Sequence, residues 1–259
     1  MHRTLVIVIA ETRAHALTWN KFQQNQLRPL NADLALCVRN DEPENEFYRH
    51  AKYVSTHPEP SDWGDLYTGI CGNDHWRNLL TIPGNWLGGA GPAGSGAILI
   101  AYRWFLLQWL TSHAVEYDQY IVTRSDHYNL WPHPVLDVES VWVPEGEDSG
   151  GLCDRHIVFP RRLMESCLGL MGRIISDPEA LRREMMLKGR HEWNLEQFLA
   201  FTVQERGIEV KRFQRTMFAV KGENDSTRWS RGQFDERVGM IVKYPSELDM
   251  CLQNAPHSL

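Results

Sequence analysis

Cysteine is scarce in this sequence of 259 residues, and its five cysteines are widely separated. They are Cys37, Cys71, Cys153, Cys167 and Cys251, with no closely spaced pair among them. Structural zinc sites usually draw on such pairs, and a disulfide framework needs an even set of cysteines. The sequence therefore predicts free thiols, no structural zinc and a reducing, cytoplasmic location.

Long hydrophobic runs and an excess of positive charge are also missing. The apolar runs at 5–10 and 98–110 are shorter than the roughly 20 residues of a membrane-spanning helix, so we expect no membrane span. Lys and Arg number 27 against 33 Asp and Glu, a formal net charge of -6. Proteins that bind a phosphate backbone are usually basic, so we expect no nucleic-acid partner, although a local basic pocket for a phosphorylated ligand remains compatible.

The order of the predicted elements favours an α/β fold. Residues 5–10 form an apolar, β-branched run typical of a central parallel strand, and a helix over 14–26 and a strand over 33–38 follow. This β-α-β start predicts one Rossmann-like domain with helices flanking a mostly parallel central sheet. We expect that domain to span 1–221, with a C-terminal appendage over 222–259 that is packed on it or partly extended.

Two local features bear on this prediction. The first helix is expected to end before Pro29, because proline removes a backbone donor. Residues 56–96, rich in Pro, Gly, Trp and Asp, show little periodicity and are expected to form a long functional loop.

Polar side chains follow two predicted strands. After the first strand come Glu11, Thr12 and Arg13, and after the strand at 119–123 come Arg124, Ser125, Asp126 and His127. Ligands bind beyond the carboxyl ends of the strands in open α/β sheets. A carboxylate there can hold a divalent metal on a diphosphate, and a cation can neutralise the leaving group. His127 has a metal-ligand side chain, but a merely hydrogen-bonded histidine fits a polar turn as well.

Four segments of the sequence, taken in order, share a pattern. They are Glu11-Thr12-Arg13 behind the first strand, the Tyr-Asp-strand-Arg-x-Asp segment at 117–126, Gly150-Gly151-Leu152-Cys153-Asp154-Arg155, and 194–210 with Asn194 and Glu196. Together they resemble small GT-A glycosyltransferases of large DNA viruses and bacterial polysaccharide clusters, over about residues 5–220. The resemblance implies a GT-A-like domain that moves a hexose or deoxyhexose from a nucleoside-diphosphate sugar to a hydroxyl of a glycan or small acceptor.

The same resemblance implies roles for the matched residues. Glu11, Thr12 and Arg13 would contact the nucleotide, while Arg124, Ser125 and Asp126 would lie where ribose, diphosphate and metal meet. Arg155 and Asn194 would also bind substrate. The candidate catalytic carboxylates are Asp154, Glu196 and Asp148, because an inverting transfer needs a base for the acceptor hydroxyl. One acid of the usual Asp-x-Asp signature is missing here, so the expected Mn²⁺ or Mg²⁺ at Asp126 and His127 remains open.

Two alternatives of other classes stay open. Gly89-Ala90-Gly91-Pro92-Ala93-Gly94 has the GxGxxG spacing of a dinucleotide-binding loop, which would suit an NAD-dependent oxidoreductase. The residues before this loop make a poor strand, however, and no acid ends the next strand, so a flexible loop is the simpler interpretation. A catalytically inactive module that binds nucleotide sugars or glycans is the other alternative, and the incomplete metal signature permits it.

Overall fold

The computed structural model describes residues 2–223, 225 and 230–254 of the chain. Within these residues the strands are β1 (Thr4–Ala10), β2 (Asp33–Arg39), β3 (Tyr53–His57), β4 (Gln119–Thr123), β5 (His127–Asn129), β6 (Val141–Pro144), β7 (Ile157–Pro160), β8 (Val210–Phe213), β9 (Met217–Lys221), β10 (Gln233–Asp235) and β11 (Met240–Val242). The helices are α1 (His15–Phe22), α2 (Arg28–Leu30), α3 (Glu46–His50), α4 (Trp63–Cys71), α5 (Gly96–Ser112), α6 (Met164–Leu168), α7 (Leu170–Ser176), α8 (Pro178–Leu187), α9 (Leu195–Gln204) and α10 (Pro245–Gln253).

The larger sheet has the strand order β3-β2-β1-β4-β7-β6-β8. β1 pairs in parallel with β2 and β4, and β2 with β3, whereas β7 is antiparallel to both of its neighbours. Alternate side chains of β1 enter two different cores, one shared with α4–α9 and one with α1–α3. A strand covered on both faces must be apolar throughout, as this one is. The predicted α/β class, with a mostly parallel sheet between helices, is confirmed.

The site lies where the direction of winding reverses. From β1 the chain moves outward through β2 and β3, and then returns to place β4 on the other side of β1. The connections leaving the carboxyl ends of β1 and β4 therefore diverge and leave a crevice between them, which is where open α/β sheets bind ligands.

A smaller sheet, in the order β10-β11-β9-β5, joins the end of the chain to this crevice. β5 begins at His127, directly after the polar turn that follows β4, and pairs antiparallel with β9. β11 pairs with β9, and α10 packs beside them in a core that contains Leu248 and Cys251. Of the predicted appendage 222–259, residues 224, 226–229 and 255–259 lie outside the described residues.

Two local predictions differ from the structure. The first helix continues past Pro29, because the π-helical turn Gln23–Leu27 widens the backbone just before the proline ring, which would clash in a regular α-helix. The stretch predicted to be irregular contains α4, which Asp62 caps by accepting a hydrogen bond from Gly64 N at 2.7 Å. Gly64 and Gly69 lower the helix propensity of this segment, so its sequence gives only a weak indication of a helix.

The cysteines and the helix lengths bear on two predictions made from composition. All five cysteines are free thiols, and Cys71 alone among them is not buried. In the described part of the chain, no helix has the length and apolar character needed to cross a membrane.

Candidate functional site

A cavity of about 730 Å³ lies at the carboxyl ends of β1 and β4, a size that suits a small-molecule ligand. The predicted site residues that line it are Glu11, Arg13, Arg124, Asp126, Asp154, Arg155, Asn194 and Glu196. The other four predicted residues, Thr12, Ser125, His127 and Asp148, lie outside its lining. Several further residues that were not predicted from the sequence also line the cavity, notably Arg39, Glu59, Tyr102, Lys243 and Tyr244.

The end of β1 turns sharply at Ala10. Its φ is +73°, and the N–H of Glu11 donates to the carbonyl of Ile9 at 3.0 Å, so the chain forms a three-residue turn that non-glycine residues rarely adopt. Beyond this turn Glu11 and Arg13 form an ion pair of 2.9 Å, and both line the cavity. The strained backbone thus directs this polar pair toward the crevice.

The side chains of Ser125 and Thr12 bond within the protein. Ser125 Oγ lies 3.0 Å from the carbonyl oxygen of Glu11 and 2.9 Å from that of Arg13, which ties the end of β4 to the end of β1. Thr12 donates to the Glu42 carboxylate from its N–H at 2.9 Å and from its hydroxyl at 2.7 Å. These contacts position the two loops, and the residues that line the cavity are the neighbours of Thr12 and Ser125.

Asp126 lies at the centre of a cluster of three cations. Its carboxylate accepts two hydrogen bonds from Arg124, at 2.9 and 3.0 Å, and one from the ammonium of Lys243 at 2.5 Å. Arg13 Nη2 lies 3.8 Å away. Burial alone would raise the pKa of the Asp126 carboxyl, but the charges of Arg124, Lys243 and Arg13 outweigh it and hold that pKa well below its usual range.

A divalent metal ion does not fit Asp126 and His127 as they stand. Both carboxylate oxygens of Asp126 are already bonded to cations, while His127 is buried and bonds through Nδ1 to Thr123 Oγ1 at 3.2 Å. No group of three or more His, Cys, Asp and Glu side chains in the described residues could hold a metal ion.

A second wall of the cavity brings Asp154 and Glu196 together. Gly150 has a φ of +78°, and a Cβ on Gly151 would lie 2.1 Å from the carbonyl oxygen of Glu196, so this turn requires both glycines. The N–H of Leu152 then donates to that same carbonyl at 3.0 Å. The Gly-Gly turn and the first turn of α9 are therefore in direct contact.

The two carboxylates of this wall differ in their surroundings. Burial, with the nearby charge of Asp154, raises the pKa of Glu196 to about 7. Asp154 is 7% exposed, and its buried Oδ1 has no hydrogen-bond partner. A carboxyl group that titrates near neutral pH beside a cavity is a candidate general base.

Arg155 lines the cavity together with Asp154 and Glu196. Its guanidinium lies 3.1 Å from the Glu247 carboxylate and stacks over the ring of Tyr244 at 4.2 Å. Glu247 is fully buried and also bonds to Arg215 at 2.8 Å. Helix α10 therefore supplies the anion that holds Arg155 at the cavity.

Asn194 and Asp148 have contacts that explain their positions. Asn194 caps α9 by accepting from Gln197 N at 2.8 Å, and its amide donates to the Ser149 carbonyl at 2.9 Å. Asp148 pairs with Arg212 at 2.7 Å outside the cavity lining. Asn194 thus joins α9 to the loop before the Gly-Gly turn.

The glycine-rich loop lacks the setting of a dinucleotide site. Turns precede Gly89, whereas the dinucleotide motif follows a strand directly. A Cβ on Gly96 would lie 2.0 Å from the Trp86 carbonyl, and one on Gly84 would lie 2.1 Å from the Trp193 carbonyl. These glycines serve close packing against neighbouring backbone, and Gly84, Gly94 and Gly96 line the cavity.

Comparison with known proteins adds little to this geometry. No protein-family model matches the chain, and no curated protein matches it. Among solved structures, the chain is similar to a nucleoside-diphosphate-sugar pyrophosphorylase from Vibrio cholerae RC9, with 11% identity, a TM-score of 0.42, and coverage of 83% of this chain and 94% of that one. A likeness this weak carries no argument about function, which rests on the cavity itself.

Proposed function

We propose that this protein transfers a sugar from a nucleoside-diphosphate sugar to a hydroxyl group of a glycan or small acceptor. One observation carries the proposal: a single cavity at the reversal point of the sheet contains a cluster of cations and, on another wall, the carboxyl pair of Asp154 and Glu196. The cations suit the diphosphate of a donor. The carboxyl group that titrates near pH 7 suits the removal of a proton from an acceptor.

The proposed chemistry assigns one task to each wall. Glu196 takes the proton from the acceptor hydroxyl as that oxygen attacks the anomeric carbon. The bond between this carbon and the diphosphate oxygen breaks, and the electron pair leaves with the diphosphate. Arg13 and Arg124 stabilise the charge that develops there. Asp154 keeps the pKa of Glu196 high enough for a base at neutral pH, and Arg155 and Asn194 position the sugar and acceptor.

The residues on the outer side of the cavity suit the nucleoside. Arg39 is the last residue of β2 and pairs with Glu59 at 3.3 Å, and both line the cavity with Tyr102. The ribose hydroxyls and the edge of the nucleobase carry hydrogen-bond donors and acceptors, which Glu59 and Arg39 can bind. Glu11, on the same side, is a further candidate for the ribose.

The test is the release of nucleoside diphosphate from a panel of nucleotide sugars and acceptors, followed by the pH profile of the active pair. A base must be deprotonated, so we expect kcat to fall as the pH drops below about 7. Glu196→Gln should lower kcat by roughly 10²- to 10⁴-fold and abolish this dependence. Glu179→Gln is the matched control, because Glu179 holds the same first-turn position in α8 but is outside the cavity lining.

The outcomes separate catalysis from binding. Equal turnover in Glu196→Gln and the parent protein would refute the assigned base. A donor that binds without turnover over the whole acceptor panel would favour a nucleotide-sugar-binding module instead.

A further inference from the structure

The Asp126 side chain is almost completely buried, whereas two of the cations around it are partly exposed. The Asp126 side chain is 2% exposed and that of Lys243 is 7%, but Arg124 and Arg13 are 20% and 22% exposed. A ligand that enters the cavity therefore meets guanidinium groups before it meets the carboxylate. This arrangement favours an anion over a metal ion at this wall.

The charge of the cluster also favours an anion at this wall. Arg13, Arg124 and Lys243 carry three positive charges, and the carboxylates they pair with here, Asp126 and Glu11, carry two. Among these five side chains the cations outnumber the carboxylates by one. Burial, together with the charges of Arg124 and Arg13, lowers the pKa of Lys243 despite Asp126, so an incoming anion would favour its charged form.

Lys243 comes from a part of the chain that is distant in sequence. It follows β11, and its N–H donates to the Ala219 carbonyl at 2.8 Å, which fixes its backbone beside β9. Its ammonium then crosses to Asp126, 117 positions earlier in the chain. The smaller sheet thus adds a cation to a site that the larger sheet builds.

We propose that Arg13, Arg124 and Lys243 bind the diphosphate of the donor directly, with no divalent cation, and that Asp126 is the counterion that holds the three in place. The inference rests on the proposed function for the identity of its ligand. Diphosphate esters are dianions whose oxygens accept charge-assisted hydrogen bonds from such groups. The cations thereby do what a metal ion does in other enzymes that act on diphosphates, which is to neutralise the leaving group.

The first experiment is calorimetric titration with inorganic pyrophosphate, in EDTA and then with added Mg²⁺. Pyrophosphate contains no nucleoside, so the experiment does not depend on which nucleobase the donor carries. Binding in EDTA is the expected result. Lys243→Met should weaken it by about tenfold or more, since a charge-assisted hydrogen bond is lost, while Lys243→Arg should retain most of it. Lys211→Met is the matched control, because Lys211 lies on β8 and pairs with Asp137 outside the cavity.

A second variant tests the role of Asp126. Asp126→Asn removes the counterion, so the variant should melt at a lower temperature, and pyrophosphate should raise its melting temperature more than that of the parent protein. A metal ligand at this position predicts the reverse, a loss of stabilisation by pyrophosphate. This comparison decides the role of Asp126 even where Lys243→Met fails to fold.

The outcomes distinguish this inference from the proposed function. Pyrophosphate binding that EDTA abolishes and Mg²⁺ restores overturns the inference, and metal-dependent sugar transfer would leave the proposed function standing. Pyrophosphate binding in EDTA without any nucleotide-sugar turnover supports the anion site and counts against the transferase. Unchanged binding in Lys243→Met overturns the assignment of Lys243.

Discussion

Three buried histidines next to the site form a hydrogen-bonded chain through Thr123. His133 Nδ1 faces the Pro134 carbonyl at 2.7 Å and must carry a proton there, so its Nε2 accepts from His156 Nε2 at 3.1 Å. His156 Nδ1 then accepts from the Thr123 hydroxyl at 3.0 Å, whose oxygen accepts from His127 Nδ1 at 3.2 Å. Each partner thereby fixes the tautomer of the next, and all three rings are neutral.

Because these three buried histidines are neutral, we expect acid to destabilise the fold. Burial lowers the pKa of His127 to about 3 and that of His133 to about 4, and it takes that of His156 well below its usual value. The unfolded histidines titrate near 6.5, so below that pH the unfolded state binds more protons than the native state. The three together should lower the free energy of unfolding by up to about 4 kcal/mol per pH unit between about pH 6 and pH 4. Urea unfolding across this range measures the slope.

The imidazole ¹⁵N spectrum provides the check at the same scale. The tautomers above require His133 and His127 protonated at Nδ1 and His156 at Nε2, all unchanged down to about pH 5. Titration of any of the three near pH 6.5 in the native protein would contradict the assignment.

At the scale of elements, the C-terminal segment completes the site. The segment from β11 to α10 supplies Lys243 and Tyr244, which lie between the two elements, and Glu247 of α10, which is fully buried between Arg155 and Arg215. Glu247 Oε2 also accepts from the N–H of Ala219 at 2.8 Å, so the helix is bonded to β9 as well. Lys243 and Tyr244 of this segment line the cavity.

Removal of the Glu247 carboxylate tests that coupling. Glu247→Ala removes the carboxylate that pairs with Arg215 and the nearer of the two that pair with Arg155, and it should cost about 3–5 kcal/mol of unfolding free energy. Glu236→Ala, at an exposed position between β10 and β11, should change the stability by less than about 0.5 kcal/mol. Chemical denaturation of both variants measures the difference. Equal stabilities would mean that α10 does not hold Arg155 through this pair.

The sequence predicts the two strand ends well because their signal is local. An apolar run followed by polar residues is visible at 5–13 and at 119–126, and the fold brings Arg13, Arg124 and Asp126 together as that pattern implies. Lys243 follows a strand in the same way, but its approach depends on the pairing of β11 with β9. Nor could the pattern separate Ser125, which bonds to the β1 loop, from its neighbours that face the cavity. Long-range pairing leaves no local signal of this kind.

At the scale of the whole molecule, the topology places a cluster of cations and a pair of carboxyl groups in one cavity. The reversal between β1 and β4 opens the crevice, the smaller sheet adds a cation to it, and the Gly-Gly turn with α9 adds a carboxyl pair. A donor that leaves as an anion and an acceptor that loses a proton need these two environments side by side. The proposed transfer uses both walls of the cavity.

The most direct test of this account is the melting temperature of the protein against a panel of nucleotide sugars, nucleoside diphosphates, nucleoside monophosphates and NAD. A ligand that binds the native state alone must raise the melting temperature. We expect the nucleotide sugars and the diphosphate of one base to stabilise the protein, with its monophosphate much weaker because it lacks the second phosphate. Stabilisation by NAD alone, or by none of the nucleotide sugars, would contradict the account.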